Sequence, residues 1–221
     1  MSLTLAIETS SPNYGVVIGT RSEILAHGEC MHDHPSFQSI GELTASLIAE
    51  TGAKLRDISR IGIDVGPGSL SSVRAGVAYA NGLAFSLGVP IYSLSSLELM
   101  AAEVLSSRDL PVICMRKAAA GNVYAGLFTQ LGPPTLRYGQ RSQVIEELAG
   151  SAPAICVAGA YSSTVSDVLP ETQVLVTGVE TPSVLTLYRI LTDSDQEPRQ
   201  PTALAVPLTE AATEFHQGLP K

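Results

Sequence analysis

Short apolar runs broken by turn residues open the chain. Leu3-Thr4-Leu5-Ala6-Ile7 runs into Glu8 as a buried strand, and Tyr14-Gly15-Val16-Val17-Ile18-Gly19 follows a Ser/Pro/Asn turn as a second. Residues 22–29 supply a third strand and complete a meander of hairpins. Beyond a loop at His32-Asp33-His34-Pro35 the apolar period lengthens. Phe37, Ile40, Leu43, Leu47 and Ile48 then share one face of a helix over 36–52, ended by Gly52. Ile61-Gly62-Ile63-Asp64-Val65 is again strand-like, and Gly66-Pro67-Gly68-Ser69 enforces a tight turn. A second helix runs from there to Gly88 and Pro90, with Ser69, Ser71 or Ser72 available to cap it. Ile91-Tyr92-Ser93-Leu94 is a further strand, and Ser96 caps a helix over 96–105.

The pattern then starts again. Strands are expected over 111–115 and 123–128, with a short third near Leu136. A short helix over 144–149, a strand over 154–158 ended by Gly159, and a helix over 184–191 follow. Three antiparallel strands followed by alternating helices and strands is the order of an RNase H-like fold. The expected class is therefore α/β, with two lobes of mixed sheets flanked by helices. The lobes are expected at 1–107 and 108–221, the second being smaller, with a break near 106–110. The run Asp193-Ser194-Asp195-Gln196-Glu197-Pro198-Arg199-Gln200-Pro201 is linker-like, and the residues after it either pack back on the body or fray.

The helix after the Gly/Ser turn is unusual. From Ala75 to Gly88 it holds no charged residue, and Ala75, Gly76, Ala78, Ala80, Gly82 and Ala84 fall on several of its faces. Such a helix is either central to the core or covered on its outer face by another subunit. The turn before it offers free backbone N–H groups and a positive dipole end, which suit a phosphate or carboxylate. A plain strand-to-helix connection explains the same residues.

GPGSLSSVRAGVAYANGLA, over 66–84, resembles the signature of the bacterial TsaB family, in the spacing of Gly66, Pro67, Gly68, Ser69, Val73, Arg74, Gly76 and Gly82-Leu83-Ala84. Leu5-Ala6-Ile7-Glu8-Thr9-Ser10-Ser11 and the run from Pro90 to Ala101 fit as well, so the likeness covers roughly residues 3–103. It implies a lobe of the actin, Hsp70 and sugar-kinase superfamily. It also implies a non-catalytic partner of TsaD in forming threonylcarbamoyladenosine beside the tRNA anticodon. The two helices over 36–52 and 72–88 would bundle with TsaD, or with a second copy in a homodimer when TsaD is absent. Contacts would come from Ile40, Leu43 and Leu47 on the first helix, and from Arg74, Gly76, Val77, Ala80 and Leu83 on the second. Glu8, Thr9, Ser10, Gly66, Gly68 and Ser69 would form a vestigial or shared nucleotide site. No cofactor of its own is implied; ATP or ADP would sit at the heterodimer junction. A TsaE-like ATPase is a further partner, and tRNA would be met only through the complex. The likeness thins at Leu70, Ser71-Ser72 and Lys117-Ala118-Ala119-Ala120, where the family usually reads otherwise.

Composition narrows the alternatives. With 13 Lys and Arg against 21 Asp and Glu, the net charge of −8 makes the 221-residue chain a poor binder of nucleic-acid backbone by itself. Only 15% of residues are charged and the mean hydropathy is +0.23, consistent with a surface partly covered by a partner. Cys30, Cys114 and Cys156 lack metal-ligand spacing and read as reduced thiols. Residues 1–9 lack the features of a signal peptide and no run reaches membrane-spanning length, so a cytoplasmic protein is expected. His32 and His34, two apart in a loop, lack helical HxxxH geometry, and His27 and His216 are isolated, so no metal site is expected. A hydrolase built from Ser69, His34 and Asp64 lacks a G-x-S-x-G elbow. An actin-like ATPase or small-molecule kinase would use Glu8-Thr9-Ser10-Ser11 as its phosphate loop. It would need a second acidic loop, for which Asp64 within its strand is the sole comparable residue. A homodimeric scaffold that has drifted from the tRNA role is the third reading.

Overall fold

The computed structural model describes residues 2–31, 38–193, 201–209 and 212–216. The chain divides into two compact units, Met1–Ser96 with Ser183–Pro207, and Leu97–Pro182 with Leu208–Lys221.

In the first unit, β1 (Leu3–Glu8), β2 (Asn13–Gly19) and β3 (Ile24–Met31) form the expected meander. Helix α1 (Ile40–Thr51), strand β4 (Ile58–Asp64), helix α2 (Leu70–Leu87) and strand β5 (Ile91–Leu94) follow. The sheet order is β3-β2-β1-β4-β5, with β1 antiparallel to β2 and parallel to β4. Helix α1 starts at Ile40 because Ser39 builds a capping box. Its side chain accepts from the N–H of Glu42, and its own N–H donates to Glu42 Oε2 at 2.7 Å. The expected start at Ser36 and the Phe37 position lie outside the described residues. Helix α2 ends at Gly88, whose φ of 65° is easy for glycine alone. Ser69 holds the N-cap position of α2 without a side-chain cap bond; its hydroxyl instead meets that of Ser72 at 3.0 Å.

The second unit repeats the plan with α3 (Ser96–Leu105), β6 (Val112–Lys117), β7 (Asn122–Phe128), β8 (Thr135–Gln140), α4 (Arg141–Ala149), β9 (Ala154–Gly159), α5 (Val165–Val168) and β10 (Gln173–Val176). Its order, β8-β7-β6-β9-β10, matches that of the first sheet strand for strand, including antiparallel β6/β7 and parallel β6/β9. Alternation along β6 sends Ile113 and Met115 to a core shared with Val144, Ile145 and Leu148 of α4. Val112 and Cys114 point the other way, to Leu97, Met100 and Val104 of α3 and to Phe215. Both lobes thus have the RNase H-like order expected from the strand and helix sequence.

The division at residue 107 needs correction. Helix α3 packs in the second unit, and α6 (Val184–Thr192), from far along the chain, packs on the first sheet. The reason is steric fit. A Cβ on Gly62 would lie 2.1 Å from Leu191 Cδ1 and one on Gly15 would lie 2.7 Å from Val184 Cγ1, so bare glycines in β4 and β2 let α6 sit close. Tyr188 anchors it by donating its hydroxyl proton to the carbonyls of Thr20 and Glu23. The later segment also returns to this unit. Ala205 and Asn81 exchange two hydrogen bonds of 2.9 Å, and Thr202 donates to the Ile91 carbonyl. Among the described residues no helix is long and apolar enough to cross a membrane. The three cysteines are buried and none is in a disulfide, and burial pushes the thiols of Cys114 and Cys156 up.

Candidate functional site

Parallel pairing of β1 with β4 sets their C-terminal ends side by side, and with them the turns that each strand feeds. Glu8, the last residue of β1, is 2% exposed. Its Oε1 accepts from the N–H of Ser10 at 2.6 Å, the N–H of Ser11 at 2.9 Å and the hydroxyl of Ser10 at 2.8 Å. The same hydroxyl lies 2.7 Å from Oδ2 of Asp64, the last residue of β4, while Asp64 Oδ1 accepts from the Gly66 N–H at 2.7 Å. The Ser69 N–H donates to the Ser10 carbonyl at 3.1 Å and ties the second turn to the first. Ser96 anchors that turn from behind, its hydroxyl donating to the Pro67 carbonyl and its N–H to that of Gly66.

All six residues expected to form a nucleotide site are therefore in one place, as a turn closed on itself. A Cβ on Gly68 would stand 2.3 Å from the Ser10 carbonyl oxygen, and one on Gly76 would stand 2.2 Å from Thr9 Oγ1. Glycine at both positions is what allows the turn and α2 to touch. A phosphate at this turn would need free donors. The N–H groups of Ser10 and Ser11 that could cradle it are taken by Glu8, and two buried carboxylates stand where negative charge would have to enter. Asp64, which the apolar pattern hides inside a strand, is joined to the turn only through strand register.

Helix α2 needs a second correction. Gly76, Val77, Ala80 and Leu83, named as partner contacts, are buried in the body of the unit together with Val73 and Ala84. Leu43 and Leu47 of α1 are likewise in the core. With no polar stripe on α2 to mark its wet side, the stripe nearest the sheet was indistinguishable from its neighbour. Of the expected contacts, Arg74 is exposed and Ile40 is partly so. The outward face of α2 carries Leu70, Arg74, Ala75, Ala78, Gly82 and Phe85. Phe85 is 91% exposed, and a Cβ on Gly82 would meet nothing within 4 Å. From Ala75 onward this face has no charge and, Phe85 apart, hardly any side-chain height. His32 and His34 lie outside the described residues, and among the described ones no group of three metal-ligating side chains forms.

Residues 33–149, more than half of the chain, match the family described as "TsaD: tRNA N6-adenosine threonylcarbamoyltransferase". The chain belongs to this family. Among its relatives, the tRNA threonylcarbamoyladenosine biosynthesis protein TsaB of Bacillus subtilis (strain 168) is 34% identical over 128 residues, covering 56% of this chain and 54% of the relative. The protein of the same name from Escherichia coli (strain K12) is 33% identical over 98 residues, 44% of this chain and 42% of the relative. The chain spans about half the length of the curated relatives it matches. Among solved structures, YeaZ from Pseudomonas aeruginosa superposes with a TM-score of 0.68 at 22% identity, covering 86% of this chain and 92% of that one, and so shares the fold. The family match runs through α1, β4, α2 and β5 into the second unit as far as α4, and so includes the exposed face of α2.

Proposed function

We propose that this chain is a non-catalytic subunit that binds a TsaD-like catalytic subunit through the exposed face of α2 and the adjoining side of α1. In that role it supports formation of N6-threonylcarbamoyladenosine in tRNA. The observation that carries this reading is the outward face of α2: Ala75, Ala78 and Gly82 allow a partner helix to approach closely, and Phe85 offers an aromatic anchor in water. The closed turn around Glu8 argues in the same direction, since it leaves no open phosphate cradle where β1 and β4 of the first unit end. ATP or ADP would then bind at the junction with the catalytic subunit, and tRNA would be engaged by the assembled complex. Without its partner the same face would pair two copies of the chain, and the whole would work in the cytoplasm.

The test is co-purification with the host's TsaD-like subunit, with tRNA modification reconstituted in parallel. Wild-type chain is expected to form the complex and restore the modification, and Ala78→Arg to lose both while keeping a wild-type circular dichroism spectrum. Retention of both by the variant would sink the proposed face. An ATPase is the second reading, favoured by the placement of Asp64 beside Glu8. ATP hydrolysis by the pure chain, abolished in Asp64→Ala, would establish it.

A further inference from the structure

The second unit gathers positive charge that the fold does not explain. Lys117 ends β6, Arg141 begins α4, and Tyr161 lies in the turn after β9. Lys117 Nζ stands 5.6 Å from the centroid of the Tyr161 ring, and Arg141 Cζ stands 4.9 Å from it. Neither cation makes an ion pair among the described residues; the ion pair nearby in sequence joins Arg137 to Glu147. Besides the ring, Arg141 reaches the Thr164 hydroxyl, at 3.5 Å.

The ring attracts each cation but neutralises neither charge. Two like charges share one ring in a chain whose net charge is −8. Arg141 also sits at the N-terminal end of α4, where the helix dipole favours an acidic residue, and the first turn of α4 has none. Gln140, at the cap position, makes no side-chain cap bond, so the first N–H groups of α4 add to the positive field. Tyr161 holds its ring there from a left-handed backbone, with φ 63° and ψ 11°, which a non-glycine residue adopts at a cost. The turn is fixed in that shape. The Thr164 N–H and hydroxyl both donate to the Tyr161 carbonyl at 3.0 Å, and the Ala160 N–H donates to the Met115 carbonyl at 2.9 Å.

We infer that Lys117, Arg141 and the Tyr161 ring form a phosphate-binding site on the second unit, for a phosphate carried by an RNA backbone or by a nucleotide. A guanidinium can fork two phosphate oxygens and an ammonium can add a point charge, and both cations stand at the same ring. The site lies outside the face assigned to the protein partner, and only its biological use as an RNA contact rests on the proposed function.

The experiment uses the isolated full-length chain, so that its outcome does not depend on assembly with any partner. Backbone and arginine side-chain NMR shifts are followed while a short single-stranded RNA or ATP is added. Shifts at Lys117, Arg141 and Tyr161 are expected. If RNA is the source, its affinity should fall with salt at a log–log slope of about −0.7, the value for one phosphate neutralised on a single strand. Saturation by ATP with no response to the RNA would assign the phosphate to a nucleotide. The double variant Lys117→Gln/Arg141→Gln should weaken binding at least about tenfold and flatten the salt slope, with the rest of the spectrum unchanged. No shift with either probe, or shifts that persist in the double variant, would overturn the inference.

Discussion

The two units solve the same topological problem with opposite chemistry. Each feeds its first and fourth strands into adjacent turns, β1 and β4 in one and β6 and β9 in the other. In the first unit both strands end in buried carboxylates, Glu8 and Asp64, which bind the two turns together through Ser10. In the second, the matching ends are Lys117 and Gly159, and no carboxylate is placed there. Backbone seals the junction instead: Gly159 has φ 84°, and a Cβ on it would lie 2.1 Å from the Met115 carbonyl oxygen. The following helices differ too. Helix α2 has 18 residues and an outer face without charge after Arg74, while α5, its counterpart, has 4. One strand order therefore tolerates either a hydrogen-bonded junction or a close-packed one, and the helix after the fourth strand can run to 18 residues or to 4.

The sharpest way to break this comparison is on α2, where neighbouring alanines face opposite ways. Ala80→Arg places a charge at a fully buried position and should cost about 4 kcal/mol or more, leaving little soluble protein. Ala78→Arg, on the exposed face, should leave thermal stability within about 0.5 kcal/mol of wild type. Equal melting temperatures for the two would show that the helix faces are wrongly assigned. Next in size, Gly68→Ala and Gly159→Ala each drive a methyl into a carbonyl oxygen, one in each unit, and should destabilise by about 3 kcal/mol in urea titration. A Gly159→Ala protein as stable as wild type would remove the argument that backbone packing seals the second junction. Asp64→Ala should cost about 2 kcal/mol, since it strips the buried Gly66 N–H of its acceptor. No loss would mean that the carboxylate does not hold the first junction.

The smallest effect expected is a pH dependence at α1. The Ser39 N–H and hydroxyl hold the Glu42 carboxyl below the usual carboxylate range. A carboxyl with a lowered folded-state pKa stabilises at pH above the range where the unfolded carboxyl ionises, and that contribution fades as pH falls through its own lowered value. The melting temperature of Glu42→Gln should thus lie slightly below that of wild type at neutral pH and converge with it in acid. A gap that widens in acid would reverse the sign and rule out the capping carboxylate as its source.

Much of the fold is legible in the chain because its signals are local. Gly52 and Gly88 stop α1 and α2 where expected, and the spacing of Ile40, Leu43 and Leu47 announces a helix. Helix α5 and strand β10 escape notice because they are four residues each, and β10 is largely half-exposed, too short for a period to emerge. The membership of α3 and α6 is hidden for another reason. It depends on which sheet offers a matching surface, such as bare Gly15 and Gly62 beneath α6, and chain order carries no trace of that.

The same division runs through the site. The sequence by itself determined the strand-turn-helix units, their repetition, the glycines at 66, 68 and 76, and the absence of charge in α2 after Arg74, since each follows from residue type and near-neighbour spacing. Tertiary structure alone decided that Asp64 meets Ser10 and that Ala80 faces inward while Ala78 faces out. It alone brought Lys117, Arg141 and Tyr161, which are far apart in the chain, around one ring. Strand register and helix rotation are set by how whole surfaces fit, and on a helix of small residues every face looks alike until one of them is packed.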